Sequence, residues 1–290
     1  MGNKQGKELI EYGRVDLSIT DLETSVNFYV QVIGLTVLER TDKVAIVGVG
    51  DVELIALHED AVRRFLSGYT DLYHLAIHVP SEDEFAKVLA RFLRMNISFS
   101  PVDHIMSKAL YLLDPDGITI EITLKTPERF SRYDMDRGNF QVIDSQGHIR
   151  GATEPLDIHQ LLINKPDAEE ESAVLSHGAK IGHVHLYVND LTMNYRFYES
   201  LGFIDNLLSE RIGFADLSAN GDFKHRLAMN TWTSKGGVHS PKGNAGMKSF
   251  TITYTDKSLL DSSIKKHAVK EVDNGYEILD PSGNTIRIAY

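Results

Sequence analysis

One stretch of the sequence, Asp103 to Thr123 (DHIMSKALYLLDPDGITIEIT), combines side chains that can exchange protons and bind a metal. It contains one histidine (His104), one tyrosine (Tyr111) and one glutamate (Glu121), which lies among alternating Ile and Thr residues. An imidazole exchanges protons near neutral pH, a phenol donates a hydrogen bond and a carboxylate binds divalent cations. These residue types could therefore hold a metal ion and move the protons of a small substrate.

The segment around Glu121, GITIEITL (117–124), is predicted to be a β-strand. Because side chains alternate along a strand, its three isoleucines share one face and Glu121 lies on the other. We expect the isoleucine face to pack beneath a helix. The face with Glu121 lines a polar cavity or faces solvent, and the pattern is compatible with both.

An internal repeat indicates which elements position these residues. VDLSITDLETSVNFYVQVIGL (15–35) recurs as VHLYVNDLTMNYRFYESLGF (184–203), and YLLDPDGITIEI (111–122) recurs as EILDPSGNTIRI (277–288). Each unit reads as an alternating strand, a capped helix and further strands broken at Gly, Asp and Pro. We predict four βαβββ modules, at about residues 13–60, 70–125, 180–232 and 246–290.

The modules are predicted to form two domains, 10–125 and 180–290, joined by a connector at 126–179. The connector contains the polar run PDAEEESA (166–173) and a predicted short helix, LDIHQLLI (156–163).

The helix of the second module is predicted over residues 81–96. Ser81 and Glu84 form a capping box, in which the serine side chain accepts a hydrogen bond from a free backbone N–H group. Four apolar residues have the spacing of one buried helical stripe: Phe85, Val88, Leu89 and Phe92.

The composition argues against several classes of partner and chemistry. The chain has 30 basic and 41 acidic residues, a net charge of −11 without a block of like charge, which argues against nucleic acids and anionic membranes as partners. It has no cysteine, which excludes disulfides and thiolate chemistry. No segment resembles a signal peptide or a membrane span of about 20 apolar residues. We expect a soluble cytoplasmic protein, and a homo-oligomer is compatible with the sequence.

The repeated modules resemble the vicinal oxygen chelate superfamily, which includes glyoxalase I, fosfomycin- and bleomycin-resistance proteins and extradiol ring-cleaving dioxygenases. The resemblance covers nearly the whole chain except the connector. It implies an α+β fold in which two domains with curved mixed sheets surround a cavity. A fold does not choose among these activities by itself.

The segment from Asp103 to Thr123 favours the dioxygenases. Its residues follow the extradiol dioxygenase pattern at Val102, His104, Leu110-Tyr111, Asp114-Pro115, Gly117 and Glu121. Other segments, including LYHLAIHVP (72–80) and IGHVHLYVNDL (181–191), resemble catechol 2,3-dioxygenases of the CatE type from Bacillus.

The resemblance implies that Glu121 is a metal ligand and that His104 and Tyr111 are catalytic groups beside the metal. His74, on the first strand of the second module, matches the position of a histidine ligand. The expected site is Fe(II) held by two histidines and one carboxylate, with positions left for substrate and dioxygen. His78 lies four residues farther, about 13 Å along a strand, so it cannot bind the same ion as His74.

The third ligand departs from the simplest family pattern. In many relatives it lies on the first strand of the preceding module, but seven residues before Asp21 this chain has Arg14, which cannot bind a cation. Seven residues before Asp190, in the third module, stands His183. We infer that the second and third modules face each other and that His183 completes the metal site.

Three other residues remain candidates for that third position. His185 shares a strand face with His183, whereas Asp16 or Glu53 would serve if the first module supplied the ligand.

The fourth module is predicted to be structural, because Ser249, Glu277 and Arg287 stand at its equivalents of His74, Tyr111 and Glu121. The first module is predicted to be structural as well.

Two further residues, His225 and Trp232, have aromatic side chains whose positions the sequence predicts less directly. His225 is predicted either to border the site or to lie on the surface, and Trp232, the single tryptophan, is predicted to lie in the core.

The leading hypothesis is an Fe(II)-dependent extradiol dioxygenase that inserts O2 into a catechol, with Mn(II) as the other metal that these ligands suit. His104 would act as the general acid and base, and Tyr111 would donate a hydrogen bond to developing charge. One alternative is a glyoxalase-like isomerase or a thiol transferase, which would use Glu53 and leave the His104–Tyr111 pair without a role. Another is a non-catalytic binding protein, which needs no metal.

Overall fold

The computed structural model describes residues 6–136, 139–163 and 174–290. Within these ranges the chain is an α+β protein whose helices are separated by groups of strands. None of the helices in the described ranges is long and apolar enough to cross a membrane. The polar run at 166–173 lies outside the described residues.

Four βαβββ modules are present, as the repeats predict. The first contains β1 (Ile10–Ile19), α1 (Leu22–Asn27), β2 (Thr36–Arg40), β3 (Val44–Val49) and β4 (Val52–Glu59). The second contains β5 (Asp71–Val79), α2 (Glu82–Arg94), β6 (Ser100–Asp103), β7 (Ser107–Leu113) and β8 (Thr119–Lys125).

The connector adds secondary structure that the sequence analysis did not predict. It contains β9 (Phe130–Asp136), β10 (Asn139–Asp144), β11 (Ile149–Gly151), β12 (Glu154–Pro155) and α3 (Ile158–Ile163). The first three strands form a small sheet, and β12 pairs with β6 of the second module. The helix predicted from LDIHQLLI is confirmed over Ile158–Ile163.

The remaining two modules repeat the same order of elements. The third contains β13 (Lys180–Tyr187), α4 (Leu191–Ser200), β14 (Ile204–Ser209), β15 (Phe214–Ser218) and β16 (Leu227–Asn230). The fourth contains β17 (Gly246–Tyr254), α5 (Lys257–Ile264), β18 (Lys270–Val272), β19 (Gly275–Leu279) and β20 (Thr285–Ala289).

The modules combine in pairs within two mixed sheets. The nine-stranded sheet has the order β12-β6-β7-β8-β5-β13-β16-β15-β14, and the eight-stranded sheet has the order β18-β19-β20-β17-β1-β4-β3-β2. The second and third modules therefore share one sheet, and the first and fourth share the other. The second and third modules are adjacent in this sheet through β5 and β13, and the inference that they face each other stays a prediction.

The chain divides into two compact units, each discontinuous in sequence. One comprises the residues up to Thr20 together with Asp60–His74 and His183–Tyr290, and the other comprises Asp21–Glu59 and Leu75–Gly182. The division by chain order into 10–125, 126–179 and 180–290 remains a prediction.

Helix α2 forms as its sequence predicts. The hydroxyl of Ser81 accepts a hydrogen bond from the backbone N–H of Glu84 (3.2 Å) and begins the helix. The four residues of the predicted stripe are fully buried. Arg91 is also buried, and it donates to the carbonyl oxygens of Val32 (2.8 Å) and Ile33 (2.6 Å) at the end of a π-helical segment. Burial lowers the pKa of Arg91 to about 10, so its guanidinium stays charged at neutral pH.

A buried tyrosine–aspartate pair explains both repeated motifs. In one unit, the hydroxyl of Tyr29 donates to the carboxylate of Asp114 (3.2 Å). In the other, Tyr198 donates to Asp280 (2.8 Å). Each tyrosine comes from a Phe-Tyr motif of one module and each aspartate from the Asp-Pro turn of the next. The Asp-Pro-Asp-Gly sequence is therefore a structural turn, in which Asp114 also accepts two backbone hydrogen bonds.

Candidate metal and active site

Strand β8 places the candidate carboxylate. It runs parallel to β5, with Glu121 opposite Ala76, two residues after His74. Glu121 and Thr123 are both buried, so the face that carries them is not the solvent-facing surface that the pattern also allowed. The hydroxyl of Thr123 donates to Oε1 of Glu121 (2.8 Å) and thereby orients the carboxylate.

The two candidate histidine ligands meet at their Nε2 atoms. Nε2 of His74 lies 3.1 Å from Nε2 of His183, and both side chains are buried. The donor atoms that His74, Glu121 and His183 offer lie within 4.8 Å of one another. The structure thus brings together the three residues predicted as metal ligands.

This geometry fits one divalent ion. Ligand atoms about 2.0–2.2 Å from an ion and at right angles to each other are separated by about 3 Å, which matches the Nε2–Nε2 approach. Two imidazoles and one carboxylate are also the donor set of open Fe(II) sites. Such a set leaves coordination positions for other ligands.

A second group of potential ligands adjoins the first. His74, His185 and His225 also offer donor atoms within 4.8 Å of one another, so the structure keeps His185 as an alternative ligand. However, Nε2 of His185 is hydrogen-bonded to the Asn230 side chain (2.9 Å), and Nδ1 of His225 lies 3.0 Å from a carboxylate oxygen of Asp216. The contact with Asn230 competes with metal binding through Nε2 of His185, so we favour the group that contains Glu121.

The alternatives from the first module are not brought to this position. Asp16 is buried and forms an ion pair with Arg14 (3.3 Å). Neither Asp16 nor Glu53 belongs to a group of three potential ligands within the described part of the chain. His78 is likewise absent from these groups in the described residues, as the strand spacing predicts.

His104 and Tyr111 form a hydrogen-bonded pair next to the candidate metal ligands. The hydroxyl of Tyr111 lies 3.0 Å from Nε2 of His104, and Tyr111 stands opposite Glu121 in the β7–β8 ladder. Nδ1 of His104 donates to the backbone carbonyl oxygen of Ala152 (2.8 Å). Because a carbonyl oxygen only accepts, Nδ1 carries the proton, and Nε2 of a neutral His104 accepts the hydrogen bond from Tyr111.

The connector therefore contributes to this pair, which the sequence analysis did not foresee. Ala152 acts through a backbone atom, and no residue type predicts such a contact.

The predicted position of Trp232 in the core is wrong, because its side chain is half exposed. The ring of His225 packs 4.6 Å from that of His183, so His225 borders the site.

Comparison with known proteins agrees with the fold. Residues 12–122 match the model of the glyoxalase/bleomycin resistance protein/dioxygenase superfamily. The chain is 32% identical to catechol-2,3-dioxygenase of Bacillus subtilis over 279 residues, which cover 93% of each chain. The chain belongs to this superfamily.

Three other proteins resemble part of the chain or its fold. Glutathione transferase FosA of Serratia marcescens is 27% identical over 106 residues, or 37% of this chain and 74% of FosA. A Bacillus subtilis protein classed as a dioxygenase has a similar structure, with a TM-score of 0.62 at 12% identity over 98% of this chain and 86% of its own. Glyoxalase I of Zea mays has a TM-score of 0.54 at 15% identity over 96% and 92%. These structures share the superfamily fold, which occurs with several activities.

Proposed function

We propose that this chain is an Fe(II)-dependent extradiol dioxygenase that opens the ring of a catechol beside its two hydroxyl groups. The observation that carries the proposal is the His104–Tyr111 hydrogen bond, located one strand away from the convergence of His74, Glu121 and His183. A glyoxalase or a binding protein has no need of such a pair. The similarity to catechol-2,3-dioxygenase along nearly the whole chain supports the same activity.

In this proposal, His74, Glu121 and His183 hold the iron. When bound there, a ferrous ion would lower the pKa of the diol hydroxyl groups and offer open positions to the diol and to dioxygen. Mn(II) suits the same donor atoms. Thr123 keeps Glu121 oriented by its hydrogen bond, so that one carboxylate oxygen is already engaged before any ligand arrives.

The proton transfers fall to His104. Its Nδ1 is held by the Ala152 carbonyl oxygen, so its Nε2 is the atom that can accept a proton from the diol and return it later. The hydroxyl of Tyr111 is hydrogen-bonded to this Nε2. By rotation of its O–H bond it can instead donate to negative charge that develops on the substrate. The hydrogen bond to Ala152 fixes the tautomer and the ring orientation that these steps need.

The test measures the reaction itself. The protein is loaded with Fe(II) under anaerobic conditions and then mixed with catechol in oxygenated buffer. Oxygen uptake, loss of the diol and formation of a yellow product are measured. We expect one O2 consumed per diol, with both atoms of ¹⁸O2 in a product whose carbon–carbon bond beside the diol is broken. Absence of turnover with every catechol tested would refute the proposal.

Matched variants separate the roles. Glu121→Gln and His183→Ala are expected to lower iron affinity more than about 100-fold, because even changes in groups that only hydrogen-bond to ligands cost about 10–100-fold. Tyr111→Phe and His104→Gln are expected to keep iron and to lower kcat by about 10²–10⁴-fold. Glu53→Gln is the control: a large loss of iron or activity there would instead favour a site that uses the first module.

A further inference from the structure

A row of aromatic rings begins beside the candidate metal ligand His74. The ring centroid of Tyr73 lies 5.0 Å from the ring centroid of His74 and 4.4 Å from that of His185. On its other sides it lies 5.0 Å from the ring of Tyr187 and 5.4 Å from that of Trp232, with interplanar angles of 72° and 90°. Edge-to-face contacts at these separations are favourable for aromatic rings. We call Tyr73, Tyr187 and Trp232 the aromatic row.

Trp232 is exposed and yet firmly held. Its side chain is 53% exposed, while its indole N–H donates to the carbonyl oxygen of Ile212 (2.9 Å). Its ring lies parallel to that of Phe214, at an interplanar angle of 15°. An exposed tryptophan held by a hydrogen bond and a neighbouring ring is pre-organised, so a ligand that contacts it need not order it first.

Trp232 is also connected to the site through one side chain. Oδ1 of Asn230 accepts from the backbone N–H of Trp232 (3.1 Å), and Nδ2 of Asn230 is hydrogen-bonded to Nε2 of His185 (2.9 Å). The ring of His185 lies 4.8 Å from that of His74. Asn230 therefore ties the position of the exposed indole to the histidines around the candidate metal site.

Exposure increases along this row. His74 and His185 are buried, Tyr73 and Tyr187 are half-buried, and Trp232 is exposed. An apolar group that extends from a molecule bound at His74 would meet these rings in that order and would cover the indole.

We propose that the aromatic row is a subsite for a flat apolar substituent on the aromatic ring of the substrate, so that the preferred substrate is an aryl-substituted or fused-ring diol and not catechol itself. This inference rests on the proposed function. A planar substituent can make offset or edge-to-face contacts with Tyr73 and Trp232, which a saturated ring of similar area cannot make.

The single tryptophan makes the subsite directly observable. Protein loaded with Fe(II) is titrated without oxygen with catechol, 4-phenylcatechol and 4-cyclohexylcatechol, and indole fluorescence is recorded with correction for ligand absorption. We expect 4-phenylcatechol to quench Trp232 saturably and to bind about tenfold more tightly than catechol, with 4-cyclohexylcatechol in between. Equal affinity for catechol and 4-phenylcatechol would overturn the proposal.

Variants of the row give a second, independent measurement by calorimetry. Trp232→Ala and Tyr73→Leu are expected to reduce the preference for 4-phenylcatechol over catechol to about threefold or less, whereas Trp232→Phe should retain most of it. Tyr290→Ala changes an exposed aromatic residue at the end of the chain and serves as the control. An unchanged preference in both Trp232→Ala and Tyr73→Leu would overturn the subsite.

The two proposals fail in different ways. If 4-phenylcatechol binds tightly and quenches Trp232 but no diol is cleaved, the proposed function fails and the subsite stands. If catechols are cleaved with no preference for aryl substituents, the subsite fails and the dioxygenase stands.

Discussion

Removal of the Tyr198 hydroxyl should destabilise the protein measurably. This hydroxyl donates to Oδ2 of Asp280 at 2.8 Å, and both residues are buried. Burial raises the pKa of Tyr198 well above its ordinary value, so the phenol remains a donor at any pH at which the protein is handled. In Tyr198→Phe the carboxylate of Asp280 loses one of its donors and keeps those from Ser282 and Asn284.

The size of the effect follows from these contacts. A hydrogen bond to a charged group contributes about 1.5–3 kcal/mol to stability. Because Asp280 keeps its other donors, we expect a loss near the lower end, about 1.5–2 kcal/mol. The equivalent Tyr29–Asp114 bond is longer, at 3.2 Å, so Tyr29→Phe should cost less, about 1 kcal/mol.

The free energy of unfolding is obtained from urea denaturation of the wild-type protein and of each variant. Tyr290→Phe is the matched control, because this tyrosine is 67% exposed and its hydroxyl should contribute little. A loss below about 0.5 kcal/mol in Tyr198→Phe, or a larger loss in Tyr29→Phe, would show that the two bonds do not contribute as their lengths indicate.

Three further substitutions test other contacts. Gly182→Ala would place a Cβ atom 1.9 Å from the His78 ring, so the free energy of unfolding measured with urea should fall by about 2 kcal/mol or more. Gly151→Ala is the control and should lose much less stability, because its nearest neighbour would be at 3.4 Å. Arg91→Met removes the donors to two carbonyl oxygens and should cost about 2–4 kcal/mol; a cost below 1 kcal/mol would contradict the role of the buried guanidinium. Burial raises the pKa of Asp71 from 3.8 to about 7. The stability that its protonated form contributes is therefore complete below pH 3.8 and is lost as the pH rises through about 7. Asp71→Asn should remove this pH dependence and be more stable than wild type at pH 8 by about 1–3 kcal/mol. The measurement is thermal unfolding of both proteins at pH 5 and pH 8. An equal change of stability with pH in the two proteins would contradict the role of Asp71.

The resemblance to the extradiol dioxygenase pattern supplied the candidate metal ligands, and local spacings in the sequence supported that choice. The alternation of side chains along a strand placed Glu121 on the face opposite the isoleucines. The position before the helix-capping aspartate selected His183 in the third module, where the first module has Arg14. The first argument uses the side-chain alternation of a strand, which is fixed by backbone geometry. The second uses a spacing that the resemblance to the family supplied. The burial of the α2 stripe was likewise predictable from backbone geometry.

Features that depend on distant neighbours were not predictable in this way. The role of Ala152 comes from a backbone carbonyl oxygen, which every residue carries. The exposure of Trp232 depends on which strands lie around it, and its size and apolarity suggested the opposite. The small sheet of the connector has no counterpart in the repeats, so no internal comparison could reveal it.

The strand order also governs how the protein can be synthesised. Strand β1 ends at Ile19, but β17, its neighbour in the eight-stranded sheet, begins only at Gly246. At a translation rate of about 5–20 residues per second, the ribosome needs tens of seconds to supply that partner. Until then one edge of β1 exposes unpaired backbone groups, which can pair with other nascent chains. Because β13 is also made after β5, a chain terminated before β13 would lack His183 and with it one of the three proposed metal ligands.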